Sequence, residues 1–245
     1  LNDPASRNAM SEQMADRFVE AIQQVRAASD ARVLVISGAG KAFSAGGHLD
    51  MLEQKTSLGG RENRRQMEHF YTRFLSVLDV EIPVIAAING HAIGAAFAVA
   101  LACDIRVAVD TAKLGLNFVR LGLHPGMGCT HFLPRLIGYG RAAELLFTGA
   151  IITASEAHGI GLVNRVSSSE AFGSTVEEIA NAIASAGPQA VRETKLTLRT
   201  SGACSLSDAL RREAECQARS YSSSEFAIGL AAAREKKTPS FPAES

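Results

Sequence analysis

Pro83 to Cys103 is a run of 21 residues without Asp, Glu, Lys or Arg, and any fold of this chain has to bury it. The length matches a bilayer-spanning helix, but Asn89-Gly90-His91 divides the run with a polar turn. The first part, PVIAAIN, is short and β-branched, whereas Gly94 to Ala102 is rich in alanine. A buried strand feeding a buried helix fits both parts, and a membrane span fits neither. Around this run the 245-residue chain is 47% hydrophobic, with 25 basic and 25 acidic side chains. That content can fill a sizeable core and excludes disorder over most of the length. Balanced charge without a basic run removes the footprint of a nucleic-acid binder. Cys103, Cys129, Cys204 and Cys216 are scattered and form no CxxC pair. This spacing argues against a disulfide framework or a zinc site and for a reducing cytoplasm. No signal peptide opens the chain, and its start at Leu1 reads as the end of a strand, so N-terminal residues are expected to be missing.

Apolar positions Met14, Phe18, Ile22 and Val25 recur at helical spacing and predict a helix from Ser11 to about Ala28. Val33–Ser37, Pro83–Asn89 and Ile105–Val109 read as strands, the first followed by the turn Gly38-Ala39-Gly40. Residues 54–65 read as a polar, mobile patch before a helix over 65–78. Buried strands alternating with helices predict an α/β fold with a mainly parallel sheet. Beyond Gly126 helices dominate (127–137, 140–147, 154–158, 223–237), and only Leu162–Val166 reads as a strand. Breaks at Gly187-Pro188 and Ser201-Gly202 divide the C-terminal part. The reading is a core over 1–187 and a helical region over 188–245, with no sequence repeat.

Most motifs fail on inspection. The Gly38-Ala39-Gly40 turn lacks the third glycine of a dinucleotide fingerprint, since position 43 is Phe, and no acidic residue follows at the right distance. AFSAG around Ser44 lacks the first glycine of a nucleophile elbow. The six histidines show no metal-ligating spacing. What remains is a pair of small-residue turns that each open a helix, Ala45-Gly46-Gly47-His48 and Gly90-His91-Ala92-Ile93-Gly94-Ala95. Helix N-termini leave N–H groups unpaired, and small residues let a ligand approach the backbone. Ordinary tight turns explain the same spacing.

The start LNDPASRNAMS, then GAGKAFSAGGHLDML, PVIAAINGHAIGAAFAVALACDIRVA, LGLHPGMG, LFTGAIITASEAHGIGLVNRV and GLAAAREKKTPSF, together resemble the crotonase (enoyl-CoA hydratase/isomerase) superfamily. The likeness runs in order over nearly the whole chain. It implies a spiral of ββα units with a C-terminal helical trimerisation region, giving a homotrimer or a hexamer built as a dimer of trimers. It implies an acyl-CoA thioester as substrate, with coenzyme A part of that substrate and no separate cofactor, metal, nucleic acid or membrane partner. Carried over, the two oxyanion donors are the N–H groups of Gly47 and Ala95, beside Gly94.

The same resemblance places the two glutamates of the family's hydratases at Ala98 and Phe118, and the further acidic position near Gly126. None of these residue types can act as an acid or base. The expected reaction is therefore a variant on a thioester enolate: decarboxylation, thioester hydrolysis or C–C cleavage. A catalytically silent acyl-CoA-binding or scaffold protein is the alternative. His124, followed by Pro125 in LGLHPGMG, is the expected acid/base. His48 and His91 are candidates for the pocket wall, as is Phe118. Tyr71 and His69 read as packing or surface residues, and Asp104 as a cap. For coenzyme A, the backbone from Ala45 to Leu49 is expected at the adenine, and Arg7, Lys41 and Lys236 or Lys237 at the phosphates.

Overall fold

The computed structural model describes residues 1–202 and 204–242; position 203 and the last three positions of the expected 188–245 region lie outside the described residues. In chain order the elements are α1 (Glu12–Ala27), β1 (Leu34–Ile36), β2 (Ala42–Ser44), α2 (Leu49–Gln54), α3 (Gly60–Leu75), β3 (Val84–Ile88), β4 (His91–Ile93), α4 (Ala95–Ala102), β5 (Ile105–Val109) and β6 (Lys113–Gly115). They continue with α5 (Cys129–Ile137), α6 (Tyr139–Thr148), β7 (Ile151–Thr153), α7 (Ala154–Gly159), β8 (Arg165–Ser167), α8 (Phe172–Ala184), α9 (Pro188–Ser201), α10 (Leu206–Tyr221) and α11 (Ser224–Glu235).

Two four-stranded sheets carry the core. One is all parallel in the order β1-β3-β5-β8; the other runs β2-β4-β6-β7 and is parallel except for the antiparallel β6–β7 pair. Each successive pair (β1/β2, β3/β4, β5/β6) therefore lays one strand in each sheet. That is the ββ step of a spiral, repeated in structure although the sequence does not repeat. β3 is buried at all five positions, as expected of a parallel strand covered on both faces.

The uncharged run resolves as read: β3, the turn at Asn89-Gly90, β4, then α4. All eight residues of α4 are buried, which an apolar all-round helix requires. Asn89 holds the turn by accepting from Gly38 N–H (2.9 Å) and donating to Gly38 O (2.8 Å), so it ties the two glycine-bearing turns together. Ser11 caps α1 by accepting from Met14 N–H at 3.2 Å. α1 then packs on α3 through Phe18, Phe70 and Phe74, with ring centroids 5.1–5.3 Å apart.

Three expectations are corrected. The polar patch over 54–65 is mostly helical, because α2 and a 3-10 turn (Lys55–Ser57) precede an α3 that already starts at Gly60. Its first turns are charged outside, which hides the periodicity. The expected strand Leu162–Val166 is shifted to Arg165–Ser167: Leu162 N–H closes the end of α7 on Ala157 O (2.8 Å), and Leu162 and Val163 are core residues there. The second sheet, whose strands are three residues each, is absent from the periodicity reading altogether. Among the described residues no helix is long and apolar enough to cross a membrane.

Candidate active site

The two small-residue turns meet. Gly46 has φ +92°, and a methyl at its Cβ position would lie 2.5 Å from Ile93 O and 3.6 Å from Ala95 N. No other residue lets these strands approach so closely. Gly94 has φ +56° and ψ −124°, a conformation that glycine alone adopts readily, and its own N–H is spent on Gly115 O (2.7 Å). Ala95 follows as the first residue of α4, where the N–H has no carbonyl to reach within the helix. Gly47 stands in a bridge with Met10 whose bonds are made by its neighbours: Met10 N–H donates to Gly46 O (2.7 Å) and His48 N–H to Met10 O (3.2 Å). The Gly47 amide is left out of that bridge.

Ala45, Gly46, Gly47, Gly94 and Ala95 line one cavity of about 430 Å³. Its wall is largely apolar: Met51, Leu52 and Met67, Phe70, Phe118, Leu121, Leu123 and Met127. The polar lining consists of Lys55, Asn63, Tyr71, Asn117 and His124; no Asp or Glu lines it among the described residues. Ala98 is fully buried inside α4 and does not reach the cavity. Phe118 does reach it and contributes only a ring.

His124 lies at the exposed mouth, with Nδ1 2.8 Å from Pro125 O. A carbonyl only accepts, so Nδ1 donates its proton there, and Nε2 makes no hydrogen bond among the described residues. Pro125 acts through this carbonyl rather than as a cavity residue. Asn117 reaches toward the second turn: its Oδ1 is 3.5 Å from the Cβ position of Gly94. Asn63 donates to Lys55 O (2.9 Å) and Leu58 O (3.3 Å) while its buried Oδ1 has no partner. Lys55 Nζ donates to Gln66 Oε1. Tyr71, set down as packing, is a cavity residue, and burial pushes its phenol above the ordinary value of 10.0, with the Cys129 thiol a smaller contribution.

The structure does not bring every candidate to the cavity. His48 heads α2, with Nδ1 3.9 Å from Asp50 Oδ2, and does not line it. His91 is on the exposed side of β4, where its Nδ1 accepts from Lys113 N–H (3.1 Å), so it serves the sheet. His69 is exposed on α3. Arg7, Lys41 and Lys236 are exposed and lie outside the lining, although Arg7 O accepts from Ala45 N–H (3.0 Å) at the first turn. Ala45 and Leu49 are both exposed where the cavity opens. Asp104 does not cap its own helix or the next strand: it accepts from Val84 N–H at the start of β3 (2.8 Å) and pairs with Lys195 and Arg199. Periodicity alone could have flagged Tyr71 only by showing which face of α3 abuts the turns.

Comparison with known proteins places this geometry. A family model described as enoyl-CoA hydratase/isomerase matches residues 1–244. The chain is 34% identical over 238 residues to the short-chain-enoyl-CoA hydratase of Clostridium acetobutylicum, covering 97% of this chain and 90% of that protein. It is 34% identical over 242 residues to the crotonyl-CoA hydratase of Syntrophomonas wolfei, covering 98% and 92%. Among solved structures, an enoyl-CoA hydratase from Bacillus anthracis superposes with a TM-score of 0.92 at 35% identity, covering 100% of this chain and 94% of that one. The fold is thus shared with these relatives along the whole length, and the chain belongs to the enoyl-CoA hydratase/isomerase (crotonase) family.

Proposed function

We propose that this enzyme binds an acyl-CoA and stabilises its thioester enolate between the N–H groups of Gly47 and Ala95, completing a reaction other than two-carboxylate hydration. The observation that carries the reading is a cavity that holds both turns and is lined by no carboxylate. An enolate concentrates charge on the thioester oxygen, and each preorganised amide is worth about 3 kcal/mol to it. Water addition needs a group to position and deprotonate water; Ala98 and Phe118 supply none. Decarboxylation, thioester hydrolysis or C–C cleavage remains, with His124 Nε2 as the proton-exchanging group of the mouth. Ala45 to Leu49 border the opening and suit the coenzyme, with Arg7, Lys41 and Lys236 toward its phosphates. The reading includes a cytoplasmic homotrimer or hexamer assembled through residues 188–245, where Leu196, Leu206 and Leu210 are exposed.

The relatives named above are hydratases, so hydration is the competing outcome. The full chain is incubated with crotonyl-CoA, methylmalonyl-CoA and a 3-oxoacyl-CoA, and consumption is followed by mass. Consumption of either of the last two is the expected result, with consumption of the 3-oxoacyl-CoA falling at least about a hundredfold in His124→Ala. Rapid hydration of crotonyl-CoA sinks the proposal. Inertness toward all three with retained CoA binding favours the silent binding protein that Ala98 and Phe118 also suggest.

A further inference from the structure

Among the described residues that line the cavity, Tyr71 is the one whose uncommitted polar group is a hydroxyl. Its hydroxyl has no hydrogen-bond partner among the described residues. It has also been given room: a methyl at the Cβ position of buried Gly126 would sit 2.4 Å from Tyr71 Oη and 2.9 Å from Cζ. Any larger residue at 126 would displace the phenol. The hydroxyl is therefore a donor left open to whatever occupies the cavity.

The other groups leave a specific vacancy in the chemistry. His124 lies at the exposed mouth with its Nδ1–H spent on Pro125 O, and Lys55 is engaged by Gln66. An enolate held at Gly47 and Ala95 must still be protonated at its α-carbon. Resting on the enolate reading above, we infer that Tyr71 is the catalytic acid that protonates the α-carbon after loss of CO2 from a malonyl-type (2-carboxyacyl) thioester. The Cα–CO2 bond breaks and its electron pair enters the enolate, whose oxygen the two amides hold; CO2 leaves. The enolate π pair then takes the Tyr71 proton to form the Cα–H bond, and the phenolate regains a proton from solvent. The net change is consumption of one proton and release of CO2. This reaction makes its enolate without a base, so a site with a protonated phenol and no carboxylate suffices. A substrate carboxylate meets Lys55 on the wall and no like charge.

The test uses the full chain in D2O with methylmalonyl-CoA. Wild type is expected to release CO2 and give propionyl-CoA carrying one deuterium at the α-carbon in a single configuration. Tyr71→Phe is expected to bind propionyl-CoA within about twofold, to lose about a hundredfold in CO2 release, and to give residual product deuterated without stereochemical preference. Gly126→Ala, which displaces the hydroxyl without removing it, should fall between the two. Tyr71→Phe with wild-type rate and configuration overturns the assignment while decarboxylation at the amide pair stands. Failure of wild type to release CO2 overturns the assignment as well. Exchange of propionyl-CoA α-protons in that case preserves the enolate reading, and its absence removes that too.

Discussion

Two polar clusters at opposite ends of α4 are built on contrary rules. Under α9, every charge is answered: Asp104 meets Lys195 Nζ at 2.8 Å and Arg199 Nη2 at 3.3 Å, and Lys195 also donates to Ile82 O at 2.6 Å. In the acyl cavity the groups are neutral or singly engaged, and Tyr71, Asn117 and the Oδ1 of Asn63 have no partner among the described residues. Buried charges persist in a fold only when paired, so the first cluster is complete as it stands and holds α9 to the core. Unanswered donors and acceptors around a cavity are incomplete without a ligand. The difference teaches that charge alone does not mark function; unmet hydrogen-bonding capacity does.

The comparison breaks most visibly at Asp104. Asp104→Ala strands Lys195, whose side chain is only 6% exposed and whose ammonium burial already pushes below its ordinary range. Removing one partner of such a pair costs about 3 kcal/mol or more, and urea unfolding should show it. Turnover of the folded fraction should be unchanged. A loss of activity at preserved stability would instead place Asp104 in the chemistry.

On the cavity side the sharpest contrast lies between adjacent glycines. Gly46→Ala combines φ +92° with a methyl 2.5 Å from Ile93 O, and so pushes the two turns apart. Losing one oxyanion donor lowers turnover about a hundredfold, and that is the expected effect on kcat. At Gly47 the same methyl would meet only Leu52 side-chain carbons at 3.7–3.9 Å, an ordinary contact, and the amide donor is retained. Gly47→Ala should therefore fall far less. Equal losses at the two positions would mean that the turn spacing does not set the donor geometry.

How much of this was legible in the chain depended on element length. β3 announces itself because five apolar residues buried on both faces leave an unbroken run, and β5 because four apolar residues stand around the single Arg106. α4 follows from its alanines. The strands β2, β4, β6 and β7 are three residues each, too short to show alternation, so the second sheet came only with the resemblance. The positions of Gly47 and Ala95 in one cavity were also legible through that resemblance, as were His124 and Phe118. Tyr71 and Asn117 were not: an aromatic on an amphipathic helix has the same spacing whether it faces core or cavity. His91 was misplaced because a turn histidine gives no sign of which side of a three-residue strand it will occupy.

The two clusters also share a feature that separates burial from charge. Each has a buried thiol, Cys103 beside Arg106, Asp104 and Lys195, and Cys129 beside Tyr71, and both are pushed up to about 12 from an ordinary 9.0, with desolvation the largest cause in each. The folded chain therefore keeps these protons between pH 9 and 12 while the unfolded chain releases them. The native state binds more protons there, so stability falls as pH rises, by about 1.4 kcal/mol per pH unit for each thiol. Below pH 9 neither contributes any slope. Cys103→Ala and Cys129→Ala should each remove one such increment from the unfolding free energy measured between pH 9 and 11. If the cations around Cys103 governed its titration instead, Cys103→Ala would flatten the curve less than Cys129→Ala. Equal flattening assigns the effect to burial, in the charged cluster and in the neutral one alike.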